Sequence, residues 1–183
     1  MGAMFMMLIG PPGCGKTSVA NRVADDYGYS VVSSDKVREE LYGDEEIQGD
    51  SEEVFARVHS DILNLLSEGK DVVMDATNCA YKYRAEILRP VRYLDGVNVI
   101  GVVFDGDLDE CLVNNRKRKR YVPHRIVKKM WNSLRLNPPQ FEEGFDFIVN
   151  MSVFEELLKL LDGASIKEAL DGAVLGMSSS KDD

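Results

Sequence analysis

One eight-residue segment near the start of the chain limits the possible folds more than any other feature. Residues 10–17 read GPPGCGKT and match the pattern GxxxxGK[ST], which binds phosphate groups when it follows a strand and opens a helix. The apolar run 5–9 precedes this segment, and apolar residues at helical spacing follow it up to about Tyr27. The sequence therefore predicts the strand, glycine loop and helix of a P-loop, because a plain glycine-rich turn would not need the lysine and threonine.

Each residue type in this loop has its own task in holding a nucleoside triphosphate. The glycines let successive N–H groups face inward as an anion nest, and the helix N-terminus adds positive potential. We expect Lys16 to reach the β and γ phosphates and to act in catalysis, and the Thr17 hydroxyl to ligate Mg²⁺. ATP and Mg²⁺ are therefore the expected cofactors. The predicted nucleotide-binding residues of the loop are Gly13, Cys14, Gly15, Lys16, Thr17 and Ser18.

Apolar runs and helical patterns alternate along the rest of the chain. Further strands are predicted at 30–33, 72–74, 97–104 and 145–149. Helices are predicted at 35–41, from 54 to a stop at Gly69, at 83–94 with a bend or break at Pro90, at 108–119, at 123–134 and at 153–161. The acidic stretch 44–53 is expected to form a loop. This alternation predicts an α/β fold, a three-layer α/β/α sandwich with a mainly parallel five-stranded sheet covered on both faces.

Length and composition fit one globular domain. The chain has 183 residues, of which 44% are hydrophobic and 29% charged. Residues 1–172 are predicted to form a single domain and residues 173–183 a disordered tail. No apolar run near the start approaches the roughly 20 residues of a membrane helix, and the three dispersed cysteines suggest neither a disulfide framework nor a zinc site. We therefore expect a cytoplasmic protein without a membrane partner, and self-association stays open.

The charge distribution is strongly uneven. The formal net charge is −9, which argues against non-specific coating of nucleic acid. Between Cys111 and Phe141, however, there are nine basic residues and no Asp or Glu, so the remainder holds 22 − 9 = 13 basic against 31 acidic residues. A solvated helix face would usually mix in acids, and the segment is therefore expected to bind an anion.

A second pair of polar residues follows the second predicted strand. In a parallel α/β sheet the carboxyl ends of the strands form the ligand crevice, so Asp35 is expected to face the phosphates from across that crevice. An aspartate there can accept the proton of an attacking hydroxyl, and Arg38, one helical turn on, can hold an acceptor anion. The alternative is a helix-capping aspartate with an ordinary i,i+3 ion pair.

The third predicted strand also ends in an acid. Asp75 follows three apolar residues and precedes Ala76, Thr77 and Asn78. A carboxylate at this strand end can lie near Mg²⁺ or orient the acceptor site. A capped turn is the alternative, and Thr77 and Asn78 are both common turn residues.

Taken in order, these segments resemble the kinase domain of phage-type polynucleotide 5′-hydroxyl kinases and their close P-loop relatives. The resemblance covers about residues 4–150. It comprises the glycine loop with Lys16-Thr17, Asp35-x-x-Arg38, Asp75-Ala76-Thr77-Asn78 with Arg84 beyond, Arg116-x-Arg118-x-Arg120-x-Val122-Pro123, and Glu143-Gly144-Phe145-Asp146. Full-length phage members carry a separate 3′-phosphatase domain, for which this chain has neither the length nor the acid motif, so kinase activity alone is expected.

The resemblance implies roles on the acceptor side of the site. It implies the strand order of nucleoside monophosphate kinases, with Asp35 as general base and Arg38 as the binder of the acceptor phosphate. Asp75, Thr77 and Asn78 become candidate acceptor-site residues.

On the donor side the resemblance implies an arginine-bearing helical lid at about 113–124. Arg118 is the predicted catalytic arginine because it lies five residues before Pro123, as in the family pattern. Arg116 and Arg120 also face the donor phosphates in that pattern. A lid arginine neutralises charge on the transferring phosphoryl group.

The expected activity is transfer of the ATP γ-phosphate to the 5′-hydroxyl of DNA or RNA ends. A second hypothesis keeps the chemistry and changes the acceptor to a small alcohol, sugar, nucleotide or aminoacyl-tRNA, which suits the acidic body of the chain. A third hypothesis is a regulatory ATPase, which needs the P-loop but no acceptor arginine.

Overall fold

A single sheet of five parallel strands lies at the centre of the computed structural model, in the order β2-β3-β1-β4-β5. The structure describes residues 2–161, 165, 166 and 168–170. The strands are β1 (Met4–Ile9), β2 (Ser30–Ser33), β3 (Val72–Asp75), β4 (Asn98–Val103) and β5 (Phe147–Asn150). The helices are α1 (Lys16–Tyr27), α2 (Ser34–Tyr42), α3 (Ser51–Ser67), α4 (Tyr81–Val91), α5 (Leu108–Arg116), α6 (His124–Leu136) and α7 (Met151–Leu160), with a short 3-10 helix at Phe141–Glu143.

Continuous apolar strands form this sheet because both of its faces are covered by helices. Every residue of β1 and β3 is buried, as expected of central strands in a parallel sheet. Alternate β1 residues enter opposite layers: Met7 packs with the buried face of α3 and α4, and Met6 with that of α1 and α7. The predicted three-layer sandwich and its mainly parallel sheet are confirmed.

The order of the strands brings three chain turns together at one edge of the sheet. β1 leads into the glycine loop, β2 continues directly into α2, and β3 ends at Asp75. The amide of Gly10 donates to the carbonyl oxygen of Thr77 at 2.9 Å, so the glycine loop is fastened to the turn after β3. The carboxyl ends of three neighbouring strands therefore supply the residues that the sequence singled out.

Some predicted boundaries are wrong. α3 begins at Ser51, inside the expected loop 44–53, because the Asp50 carboxylate accepts from the Glu52 amide at 2.8 Å and caps the helix. α4 is not broken before Pro90 but ends one residue after it, since a proline in the last turn removes only one helical hydrogen bond. α5 stops at Arg116 rather than at 119, and Pro123 caps α6 instead of opening it.

The predicted lid 113–124 comprises the last turn of α5, the connection 117–123 and the first residue of α6. The predicted tail 173–183 lies outside the described residues. Within the part of the chain that is described, no helix is long and apolar enough to cross a membrane.

A buried ion pair joins α4 to the segment that follows α6. Arg84 is fully buried and binds Glu143 through two contacts, Nε to Oε2 at 2.6 Å and Nη2 to Oε1 at 2.8 Å. Arg84 also donates to the carbonyl oxygens of Asn78, Cys79 and Asn137. The sequence singled out both charged residues only through the resemblance, and their contacts are structural.

Replacing Glu143 with alanine should lower the free energy of unfolding by about 3–5 kcal/mol, because it leaves the Arg84 charge buried without a partner. Denaturant unfolding measures the change. Glu142→Ala removes an exposed carboxylate from the same turn and should leave stability within about 0.5 kcal/mol of wild type. Equal stabilities for the two variants would contradict this interpretation.

Candidate active site

The loop between β1 and α1 has the conformation that its glycines allow. Gly13 and Gly15 have φ values of 85° and 95°, in the left-handed region that disfavours other residues. Gly13 is also required by packing, because a Cβ there would lie 2.1 Å from the carbonyl oxygen of Cys111 in α5. The loop is therefore held between the sheet edge and α5.

Lys16 is buried and crosses the loop. Its Nζ donates to the carbonyl oxygen of Pro11 at 2.7 Å and lies 3.5 Å from Cys14 Sγ. The ammonium group thus lies inside the ring of backbone that would surround a phosphate, with one backbone acceptor holding it there.

Thr17 and Asp75 meet beside the loop. The Thr17 hydroxyl donates to Asp75 Oδ2 at 2.8 Å, and Asp75 is only 7% exposed. Among the described residues, no Lys, Arg or His nitrogen lies within 4.0 Å of this carboxylate. Buried carboxylates are usually paired with a cation, so a hydroxyl and an unpaired carboxylate side by side fit Mg²⁺, which takes one or two protein oxygens and completes its shell with water and phosphate.

The Asp35 carboxylate is contacted by three arginines. Oδ1 lies 3.3 Å from Arg38 Nη1 and 3.2 Å from Arg120 Nη1, and Oδ2 accepts from Arg118 Nη2 at 2.8 Å. Arg38 comes from the same helix, whereas Arg118 and Arg120 come from the connection between α5 and α6. The structure therefore brings the predicted base, the predicted acceptor arginine and two of the predicted lid arginines into direct contact.

Arg38 is the most enclosed of these cations. Its guanidinium donates to the carbonyl oxygens of Ser34, at 2.9 Å, and Gln48, at 3.4 Å. Burial, followed by the neighbouring Arg120 charge, lowers the pKa of Arg38 from its ordinary value, and Asp35 opposes this shift. The Gln48 side chain in turn accepts from Arg120 Nη2 at 2.6 Å. Gln48 was missed in the sequence because nothing in a polar, acidic loop distinguishes it.

The third lid arginine lies elsewhere. Arg116 is exposed and donates to His124 Nε2 at 3.2 Å, at the junction of α5 and α6. Lys119, between the two inward-facing arginines, instead pairs with Asp44 and Glu45 at 3.3 and 3.9 Å. The alternating bases of the segment thus divide between the site and its outer surface.

The turn after β3 serves mainly to hold the site together. Asn78 has a φ of 49°, is buried, and donates to the carbonyl oxygens of Leu8 and Ala76. Its Oδ1 has no hydrogen-bond partner among the described atoms. Thr77 supplies the backbone oxygen that fastens Gly10.

One cavity of about 1360 Å³ joins these groups. Drug-sized ligands usually occupy about 300–1,000 Å³, so the volume suits two substrates side by side. Most of the predicted site residues line it, whereas Cys14 and Arg116 do not. The lining includes Gly13, Gly15, Lys16, Thr17, Ser18, Asp35, Arg38, Asp75, Thr77, Asn78, Arg118 and Arg120. His59 and Phe55 of α3 also line the cavity, although their sequence pattern indicated only an ordinary helix.

A family model described as an AAA domain matches residues 5–137, which is more than half of the chain. The chain belongs to this family. The matched span begins in β1 and ends just after α6, so it contains the glycine loop, Asp35, Asp75 and the connection with Arg118 and Arg120.

Curated sequences with detectable similarity are much longer proteins. ATPase family gene 2 protein homolog A of Homo sapiens is 29% identical over 161 residues, which cover 67% of this chain and 18% of that protein. A katanin p60 ATPase-containing protein of Danio rerio is 24% identical over 191 residues, covering 94% of this chain and 39% of the relative. The chain therefore spans less than half the length of either relative.

Solved structures establish the kinase-like P-loop fold. A chain in the structure of the Pnkp1/Rnl/Hen1 RNA repair complex has a TM-score of 0.64 at 21% identity, with 80% of this chain and 47% of that chain covered. Shikimate kinase from Acinetobacter baumannii has a TM-score of 0.52 at 18% identity, with 99% and 96% covered. A gluconokinase from Sinorhizobium meliloti 1021 has a TM-score of 0.51 at 15% identity, with 97% and 92% covered. Their acceptors differ, so the shared feature is the fold.

The three thiols around the loop should differ in reactivity. Burial raises the pKa of Cys79 to about 12 and that of Cys111 to about 11, whereas Cys14 is half-buried in the loop. Only the thiolate is nucleophilic, and a pKa of 11 or more leaves about one thiol in a thousand or fewer ionised at pH 8. Iodoacetamide at pH 8 should therefore label Cys14 in the folded protein and all three cysteines after denaturation, as peptide mass spectrometry would detect. Equal labelling of Cys79 and Cys14 in the folded protein would contradict this.

Proposed function

We propose that this chain is an ATP-dependent polynucleotide kinase that transfers the γ-phosphate of ATP to the 5′-hydroxyl of DNA or RNA ends. The observation that carries the proposal is the place of Asp35, whose carboxylate lines the same cavity as Lys16 and is contacted by arginines from two sides. Hydrolysis of ATP alone would not need a base backed by an enclosed Arg38. Such an activity would serve the repair of nucleic-acid ends, and the free thiols suit a reducing cytoplasm.

Asp35 is the proposed general base. As the acceptor oxygen bonds to the γ phosphorus and the bond to the β–γ bridging oxygen breaks, the hydroxyl proton passes to a carboxylate oxygen of Asp35 and ADP leaves. Arg38 lies 3.3 Å from that carboxylate and is enclosed by backbone oxygens. We assign it to the phosphate that follows the acceptor nucleoside, which would fix the distance between acceptor and base.

Lys16, Arg118 and Arg120 are the proposed donors to the transferring phosphoryl group. Lys16 is held inside the glycine loop, and the two arginines reach the cavity from the opposite wall. Both guanidiniums contact Asp35 in the described arrangement, so binding of the triphosphate would draw them from the carboxylate to the phosphate oxygens. That exchange frees Asp35 to accept a proton while the arginines offset the charge of the transferring group.

Thr17 and Asp75 are the proposed Mg²⁺ ligands, because they lie together and Asp75 has no protein cation beside it among the described residues. When bound there, the ion would bridge the β and γ phosphates and neutralise their charge. This places Asp75 on the metal side of the site, one of the two positions that its sequence allowed. Thr77 remains a proposed acceptor contact, and Asn78 a residue that supports the cavity wall.

The outer face of α6 favours a polynucleotide acceptor. Ile126 and Met130 line the cavity, whereas Arg125, Lys128 and Lys129 point to solvent. Six exposed cations of this region have no carboxylate within 4.0 Å in the described part of the chain. They are Arg116, Lys117, Arg125, Lys128, Lys129 and Arg135. Unpaired cations beside an active-site cavity suit the phosphates of a strand that continues beyond the acceptor nucleotide.

A small alcohol is the competing acceptor, and one observation favours it. Three glutamates, Glu46, Glu52 and Glu86, line the acceptor end of the cavity, where they would repel a polyanion. Two of the similar folds are a shikimate kinase and a gluconokinase. A regulatory ATPase is the lesser alternative, in keeping with the names of the curated relatives.

Transfer of labelled γ-phosphate to a 5′-hydroxyl oligonucleotide, with Mg²⁺, tests the proposal. Wild type should label the oligonucleotide, and Lys16→Ala should not. Asp35→Asn keeps the shape of the side chain but removes the base, so the transfer rate should fall by about 10²–10⁴-fold while ATP affinity stays within a few-fold of wild type.

Small alcohols added as competitors separate the alternatives in the same assay. If label appears on a small alcohol and never on the oligonucleotide, the acceptor assignment is wrong. If ATP is hydrolysed at the same rate with and without any acceptor, the regulatory ATPase is favoured. Undiminished transfer by Asp35→Asn would remove the general-base assignment.

The cations of α6 should act only on long acceptors. Replacing Arg125, Lys128 and Lys129 with glutamine should raise KM for a 20-nucleotide acceptor and reduce its salt dependence by up to about three charges, because fewer counterions are released on binding. KM for a dinucleotide should not change, since its phosphate reaches only the cavity. Equal effects on the long and the short acceptor would argue against a strand path along α6.

A further inference from the structure

Two aromatic rings from neighbouring helices form one wall of the cavity at its acceptor end. Phe55 of α3 and Tyr83 of α4 lie with their ring centroids 6.2 Å apart and their planes 15° from parallel. His59, one turn after Phe55, is tilted against it at 6.1 Å. All three residues line the cavity that contains Asp35 and the glycine loop.

This wall is open rather than packed. Phe55 is partly buried against the core below the sheet, whereas Tyr83 is 48% exposed. A large aromatic side chain left half exposed inside a cavity has apolar area that a ligand would cover. Tyr81, two residues earlier in α4, is similarly exposed at 52% but does not line the cavity.

The wall is also weakly charged at its aromatic part. Burial lowers the pKa of His59 from its ordinary value, with Glu86 opposing the shift, so the imidazole is neutral at pH 7. Lys82 and Glu86 lie on either side of Tyr83 in α4 and pair with each other at 3.8 Å. A sugar or an aliphatic acid would need hydrogen-bonding groups here, whereas a planar ring needs an aromatic face.

We infer that Tyr83, supported by Phe55, is a stacking platform for the first base of the acceptor strand. The inference rests on the proposed function, and it adds the requirement that the acceptor hydroxyl belongs to a nucleoside with its base in place. Stacking on an aromatic side chain accepts any base, because every base has a π-face. The platform would thus position 5′ ends of any sequence while Arg38 holds the phosphate and Asp35 the hydroxyl.

The direct test uses an oligonucleotide with 2-aminopurine at its 5′ end, titrated with protein in the absence of ATP. Wild type should quench the fluorescence through stacking. Tyr83→Leu should abolish the quenching and raise Kd by about 5- to 150-fold, the equivalent of one stacked base. Tyr83→Phe keeps the ring and should behave as wild type. Tyr81→Leu, the matched exposed tyrosine outside the cavity, should also behave as wild type.

A second arm changes the substrate instead of the protein, so that it does not depend on how a variant folds. An oligonucleotide whose 5′ nucleotide lacks a base should show the same 5- to 150-fold loss with wild type, about one stacked base, and little or no further loss with Tyr83→Leu. Efficient labelling of normal and abasic ends alike would overturn the platform and leave the kinase proposal standing. If wild type neither binds nor labels any oligonucleotide, the proposed function fails, and the platform fails with it.

Discussion

The parallel pairing of β3 between β1 and β2 is the constraint on which the rest of the site depends. Its register sets Ser33 beside Asp75 and Met7 beside Met74, so the ends of the three strands lie at one level of the sheet. Because side chains alternate along a strand, a slip of one residue would turn Asp75 to the opposite face and away from Thr17. The bond from Gly10 to the turn after β3 holds the loop in the same register. Apolar pairing thus fixes polar geometry.

Charge in the cavity is unbalanced in a way that the whole-chain charge conceals. The protein carries a net charge of −9, yet the one carboxylate of Asp35 faces three guanidiniums, and Lys16 adds a further cation in the loop. The side chain of Arg38 is 5% exposed, where an uncompensated charge is costly. Anionic ligands are therefore the natural complement of the cavity. The acidic residues elsewhere keep this positive potential confined to the site.

Local chemistry was predictable from sequence, and contacts between distant segments were not. The glycine loop follows from residue types at fixed spacing, and the position of Asp35 follows from its place after a strand. Gln48 carried no signal, because its role depends on Arg38 and Arg120, ten and 72 residues away along the chain. The alternating bases between α5 and α6 left open which arginines face inward, since the end of α5 decides that. Nor does any pattern indicate that Phe55 and Tyr83, on different helices, lie with nearly parallel rings.

The contacts of Asp35 connect the movement of the lid with the chemistry. Both carboxylate oxygens already accept from guanidiniums, Oδ2 from Arg118 and Oδ1 from Arg120 and Arg38. A base whose lone pairs are occupied by arginines is a poor acceptor for a proton, so it becomes active only when these donors have other oxygens to bind. Triphosphate oxygens supply those partners. A water molecule that entered without nucleotide would therefore meet an occupied carboxylate, and the site is built to become reactive when the phosphate donor is in place.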